Sequence, residues 1–217
     1  MAMMDTSKQV KPKKPMTSWL LPLVAVVVIG AIAIDTKVVQ IGSEEDGRAQ
    51  AFNPDSYGAE QFPRIRDLIV ERAPDAVTLA NELAADKNAA IEAYGTKTAI
   101  GGIMPVTATG TLGEGRSGIY DLNVDGMPEG VRIRVQTGPA INGTDLRDMP
   151  GDIVFGEFTN QIEYQDAGSG INRAMAAEAL SDLDRENLTG KTVEVTGAFT
   201  LINPKNWLIT PVALEVQ

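Results

Sequence analysis

Asp121-Leu-Asn123-Val-Asp125-Gly126 sets oxygen ligands at positions one, three and five and a glycine at six, the opening of a calcium-binding loop. A hard divalent cation wants that pattern, with oxygens converging from alternate residues around a tight turn. The motif then breaks, because its twelfth position is Arg132, where a bidentate Glu belongs. The flanks alternate as strands do, and a hairpin turn at Asp125-Gly126 accounts for the same residues. Asp121, Asn123 and Asp125 are therefore weak metal candidates, and no metal or cofactor is expected.

Two polar stretches have ligand-binding chemistry. Gly138-Pro-Ala-Ile-Asn-Gly-Thr-Asp-Leu-Arg-Asp148 is a loop in which Arg147 and Asp148 can clamp a carboxylate or a sugar hydroxyl. Phe158-Thr-Asn-Gln-Ile-Glu-Tyr164 sets the amides Asn160 and Gln161 beside aromatic rings. Sugars suit such a mixture, because their hydroxyls need donors and acceptors and their faces stack. Arg147, Asp148, Asn160 and Gln161 are the ligand-binding candidates. The blander alternative is that Asn and Asp side chains tie these irregular segments together.

Catalysis has few means here. The chain holds no His and no Cys, which removes the Ser-His-Asp triad, thiol nucleophiles, imidazole or thiolate metal sites and disulfides. Ser169 and Ser181 have no Lys three residues on, so Ser-Lys chemistry is missing. Glu157 and Glu163 fall in one expected strand region, six residues apart, with nothing to mark a tuned acid-base pair. No catalytic residue is assigned and a non-enzyme is expected, with a carboxylate-dependent hydrolase as the second alternative.

The elements that would position these residues follow from periodicity. Ala59 to Tyr94 reads as helical, with Ile65, Leu68 and Ile69 at helical spacing, Pro63 near a start, Pro74 at a break, Asp75 as a cap and Gly95 as a stop. From Ile100 the period changes to two. Val106–Leu112 is a strand. Tyr120, Leu122 and Val124 face Val131, Ile133 and Val135 in a hairpin. One or two short strands are expected in Ile153–Tyr164, an Ala-rich helix over Ile171–Leu183, and strands over Thr192–Phe199 and Trp207–Val216. The fold class is α+β: short helices, then a small antiparallel β-barrel of the OB kind with an inserted helix.

Met16 to Ile34 is a run of 19 residues without a charge. As a helix it would extend roughly 28 Å, close to the ~30 Å hydrocarbon core. Residues 1–18 carry four lysines against one aspartate, a net of +3, and the remainder holds 15 basic and 28 acidic residues, a net of −13. The positive-inside rule then keeps the N-terminus in the cytoplasm and puts the body in the periplasm. This divides the chain into a basic tail (1–18), a transmembrane signal anchor (19–34), a connector (35–58) and an extracytoplasmic α+β domain (59–217). The alternative is signal-peptide cleavage after Ala33, since Ala31-Ile-Ala33 has the small-x-small form. A body this acidic repels a phosphate backbone, so nucleic acid is not expected as a partner.

Gly138 to Asp148, Phe158-Thr-Asn-Gln-Ile-Glu-Tyr164 with Ile171-Asn172, Gly190-Lys-Thr-Val-Glu-Val-Thr-Gly-Ala-Phe199 and Ile209-Thr-Pro-Val212 together resemble the family of predicted periplasmic lipoproteins. Asp35-Thr-Lys-Val-Val39 and Phe52-Asn-Pro54 fit its N-terminal pattern, so the resemblance covers roughly residues 35–217. The resemblance implies genes beside ribose-type sugar ABC transporters and no established catalytic residues. Where many relatives carry a lipobox Cys, this chain has Asp35-Thr36, so an apolar helix must replace a thiol-linked lipid. The expectation is a membrane-anchored periplasmic accessory of a sugar transport system. Its expected partners are the inner membrane and a transporter permease or solute-binding protein. The first alternative is a free-standing small-ligand binding module.

Overall fold

The computed structural model describes residues 20–35 and 52–217, in two units that divide between Ala51 and Phe52. The expected basic tail, and most of the expected connector, lie outside the described residues. The first unit contributes helix α1, Leu20–Asp35. Its 16 residues span roughly 24 Å at about 1.5 Å each. No helix among the described residues is long and apolar enough to cross a membrane.

The second unit begins earlier than expected. Helix α2 runs Pro54–Arg72, because the Asn53 side chain accepts from the Asp55 and Ser56 amides at 3.0 Å and Pro54 presets the first turn. Pro63 therefore sits inside the helix and not near its start. Burial of Phe62, Ile65 and Ile69 on one face offsets the lost hydrogen bond. Asp75 caps α3 (Ala76–Ala85) and Gly95 ends α4 (Lys87–Tyr94), as the sequence predicts, and Asp86 caps α4.

Strands β1 (Thr96–Thr98), β2 (Gly101–Arg116), β3 (Ile119–Asn123) and β4 (Arg132–Gln136) follow. After the short helix α5 (Asp145–Asp148), a 3-10 turn at Phe155–Glu157 and helix α6 (Gln161–Ala179), the chain ends in β5 (Thr192–Leu201) and β6 (Asn206–Val216). The six strands form one sheet in the order β1-β2-β3-β4-β6-β5, and β5 also pairs with β2. Five strands thus make a closed circuit of pairings. Two expectations need correction. The sheet is not wholly antiparallel: β4 and β6 run parallel, because the crossover through α5, α6 and β5 returns the chain in the same direction. And Ile153–Tyr164 holds no strand. It carries the 3-10 turn and the start of α6, which begins well before Ile171.

Two apolar cores result. Alternate residues of the strands, among them Val106, Leu122, Ile133, Val135, Val195, Trp207 and Ile209, form an interior cluster that Leu79, Leu83 and Ile91 of α3 and α4 join. The second cluster lies under α2 and α6. Phe62, Ile65, Ile171 and Met175 meet Ile103, Ala198 and Val212, which come from β2, β5 and β6. The two helices touch backbone to backbone: a Cβ on Gly58 would fall 2.2 Å from the Gly170 carbonyl carbon, and one on Gly170 would fall 1.9 Å from the Pro54 oxygen.

Candidate binding face

Val131-Arg-Ile-Arg-Val135 alternates apolar and cationic residues, and a strand sends alternate side chains to opposite faces. Ile133 and Val135 are buried in the interior cluster, so Arg132 and Arg134 point outward. The register sets Asp121 of β3 against Arg134, and Arg134 against Leu208 of β6; Arg132 pairs with Asn206. One outward surface therefore collects Asp121, Arg132, Arg134, Asn206 and Leu208 from three strands.

Arg132 grips Asp121 with two parallel hydrogen bonds, Nε to Oδ1 at 2.8 Å and Nη2 to Oδ2 at 2.9 Å. That contact, with the charges of Arg132 and Arg134 beside it, holds the Asp121 carboxyl below the usual carboxylate range. Arg134 donates from Nη2 to Asn206 Oδ1 at 3.1 Å, while its Nε is buried without a partner. Arg116, at the exposed end of β2, has neither hydrogen bond nor ion pair among the described residues. Glu114, Arg116, Ile119, Asp121, Arg132 and Arg134 line a surface cleft of about 570 Å³. Its rim is the Ser117-Gly118 turn, where Gly118 has φ +75° and a Cβ would fall 1.8 Å from the Gly138 oxygen. The Thr137 amide donates to the Gly118 carbonyl at 2.7 Å, so the rim is fixed.

The same geometry answers the calcium-like motif. Arg132, at the position a twelfth ligand would take, occupies both oxygens of Asp121. Asn123 and Asp125 are exposed, and Gly126 turns the chain at φ +81°. The described residues contain no group of three or more acidic side chains placed to hold an ion.

Of the four ligand-binding candidates, Arg147 and Asp148 bond each other, and Asn160 is used as a helix cap. The Arg147 side chain, 8% exposed, bonds Asp148 at 2.8 Å and the Tyr164 carbonyl at 3.0 Å, with its guanidinium 3.7 Å from the Tyr164 ring centroid. Asp148 also accepts from Thr144 at 2.6 Å. Asn160 caps α6 through the Ile162 and Glu163 amides, while Gln161 begins the helix in solvent. Of these side chains, Arg147 holds α5 to α6. Beside them lies a buried network. Asp145 accepts from the Thr200 and Thr210 hydroxyls, Thr210 accepts from Gln136 at 2.8 Å, and Gln136 exchanges two hydrogen bonds with the Asn142 backbone. Burial raises the Asp145 carboxyl above its ordinary value against these hydrogen bonds. Arg116, Arg134 and Asn206 were not among the sequence candidates. The signal that finds the two β4 cations is Arg-x-Arg inside an alternating strand.

The fold is similar to that of an OB-fold protein from Thermotoga maritima in a crystal structure, with a TM-score of 0.61 and 18% identity, covering 77% of this chain and 99% of that one. At this identity the likeness concerns the fold alone. No curated protein matches the chain. The family model described as "Predicted periplasmic lipoprotein (DUF2291)" matches residues 23–215, and the protein belongs to that family.

Proposed function

We propose that the protein is a tethered, non-catalytic accessory of a sugar ABC transport system, with its body in the periplasm and its contact surface on β3, β4 and β6. The observation that carries this is the uncovered outward face of those strands, with Arg132, Arg134, Asn206 and Leu208 side by side. OB folds commonly bind their ligands on the face of the second and third barrel strands, the places β3 and β4 take in the circuit. The family description supports an exported body, and the resemblance to proteins encoded beside sugar transporters supplies the system. The uncharged run after a basic tail supports a single-pass inner-membrane anchor with a cytoplasmic N-terminus. Tethering raises the effective concentration of a weak partner without a large interface. A permease or a loaded solute-binding protein is the partner this arrangement fits. Glu157 and Glu163 lie on different elements, and Asp145 is enclosed by threonines, which supports a non-catalytic role.

The test is a photo-crosslinking residue in place of Leu208 in living cells. A transporter component should be captured, and gene deletion should slow uptake of one sugar while leaving its metabolism intact. Unchanged uptake across pentoses, hexoses and polyols sinks the reading, as does hydrolysis of a glycoside or ester by the purified protein. Fractionation tests the anchor: the chain should resist carbonate extraction, and a native N-terminus at Ile34 would show a cleaved signal instead.

The small-ligand alternative has one observation in its favour, the cleft of about 570 Å³ beside the Asp121–Arg132 pair.

A further inference from the structure

We infer that the cleft between Arg116 and Arg134 binds one small oxyanion-bearing ligand, a carboxylate or a phosphate monoester. The inference rests on the proposal that this face is the working surface. Three guanidinium groups line the cleft against two carboxylates, Glu114 and Asp121, in a chain of formal charge −10. The three cations are not equally engaged. Asp121 takes two donors of Arg132, and Asn206 takes one of Arg134. Arg134 keeps a buried Nε without a partner, and Arg116 makes no bond. A guanidinium offers five N–H donors and no acceptor, so the donors that Asp121 and Asn206 leave over can exchange water for an acceptor-rich ligand. A planar carboxylate or a phosphate matches that fork, and charge assistance makes such bonds the strong ones.

Charge range explains why a single oxyanion is admitted and a polyanion is not. At physiological ionic strength, fields fade over about 8 Å. A ligand seated in the cleft feels mainly the lining guanidiniums. A nucleic acid lying along the face would also meet the rest of a chain of formal charge −10. A neutral sugar fits less well, because none of the aromatic residues among the described residues lines the cleft. Phe52, Tyr57, Phe155, Phe158 and Tyr164 form their own cluster at α2 and α6, and Phe199 stacks on Trp207 in the interior.

Other clefts carry less. The one lined by Lys87, Asn88, Glu92 and Lys97 spans about 550 Å³, but it offers two lysine ammoniums and no guanidinium fork for a planar oxyanion. The one at Arg66, Glu178 and Asp182 is closed by an internal ion pair, Arg66–Glu178.

The experiment titrates the full-length, detergent-solubilised chain with inorganic phosphate and with malonate at constant ionic strength, using chloride as control. The arginine Nε–Hε resonances are followed by NMR. Saturable shifts are expected at the Arg116 and Arg134 signals, with a Kd of about 1 mM or below. Losing a hydrogen bond to a charged group should weaken binding roughly tenfold or more in R116Q and in R134Q. R173Q, which breaks the exposed Arg173–Asp55 pair elsewhere, should bind as the parent does. R116Q alters an exposed strand end, so its fold is expected to survive if R134Q fails to fold. Shifts that never saturate, or that R173Q abolishes equally, overturn the inference. If the Leu208 crosslink to a transporter component persists while no anion binds, the oxyanion inference falls and the accessory reading stands. If anions bind saturably and no crosslink forms, the oxyanion site stands and the accessory reading falls.

Discussion

The outward residues of one sheet meet two fates. On β2, β5 and β6, Ile103, Ala198 and Val212 lie under α2 and α6 and are buried. On β3, β4 and the start of β6, Asp121, Arg132, Arg134 and Asn206 meet solvent or one another. The same alternation generates both faces, so the strands alone do not separate them. What separates them is the helix pair, and that pair depends on contact between Gly58 and Gly170. The covered side carries the second apolar core, and the bare one carries the proposed contact surface. Among the described residues, the two carboxylates whose acidity shifts follow the division: burial raises Asp145, and an arginine lowers Asp121.

If the division is right, the two sides should respond to mutation very differently. Phe62→Ala empties a fully buried aromatic site in the second core and should cost about 3–5 kcal/mol, read as a lower urea midpoint at unchanged slope. A loss below about 1 kcal/mol would mean that the helices cover the sheet only loosely. Gly170→Ala comes next. Its methyl group would meet the Pro54 carbonyl, which is backbone and cannot rotate away, at a cost of about 1–3 kcal/mol. A melting temperature equal to the parent's would show that the crossing is not tight.

Asp145→Asn tests the electrostatics of the covered side. Its folded pKa is raised from 3.8, so the native state holds the proton more firmly than the unfolded state does. Between 3.8 and the raised value, stability should fall as pH rises. The variant should flatten that slope and be no less stable at neutral pH. A parent whose stability climbs with pH across that window, with a slope the variant removes, would reverse the sign and refute the assignment. Asp75→Ala removes a cap from α3 and should cost about 1 kcal/mol, measured by thermal melting.

The smallest effect belongs to the bare face. Asp121→Asn loosens an exposed pair with Arg132 and should leave the melting curve where it was. Calcium should not move that curve either. A rise of several degrees in millimolar calcium, reversed by chelator, would reinstate the ion site, because a ligand that binds only the folded state must stabilise it.

Much of the fold was legible locally. Asp75, Gly95 and the Asp125-Gly126 turn act through hydrogen bonds and backbone torsions within a few residues, so their roles are written in the chain. The hairpin was readable for the same reason. The region around Asn160 was not. Amides beside aromatic rings look alike whether they meet a ligand or cap a helix, and Gly168 and Gly170 weaken the helical signal of α6. The proposed contact face was half legible: alternation alone puts Arg132 and Arg134 on one side.

The sequence by itself determined the absence of thiol and imidazole chemistry, the acidic body, the apolar N-terminal run and the order of most elements. Each of these is a property of composition or of short-range period. Only the tertiary structure decided that Arg147 is consumed inside the fold and that β4 and β6 run parallel. It also decided that the helices cover one side of the sheet and leave the arginines bare on the other. Those outcomes depend on segments distant in the chain meeting at fixed register, as Gly58 meets Gly170 and Arg134 meets Asn206. No local period encodes such a meeting, because its energy exists only once the whole core has closed.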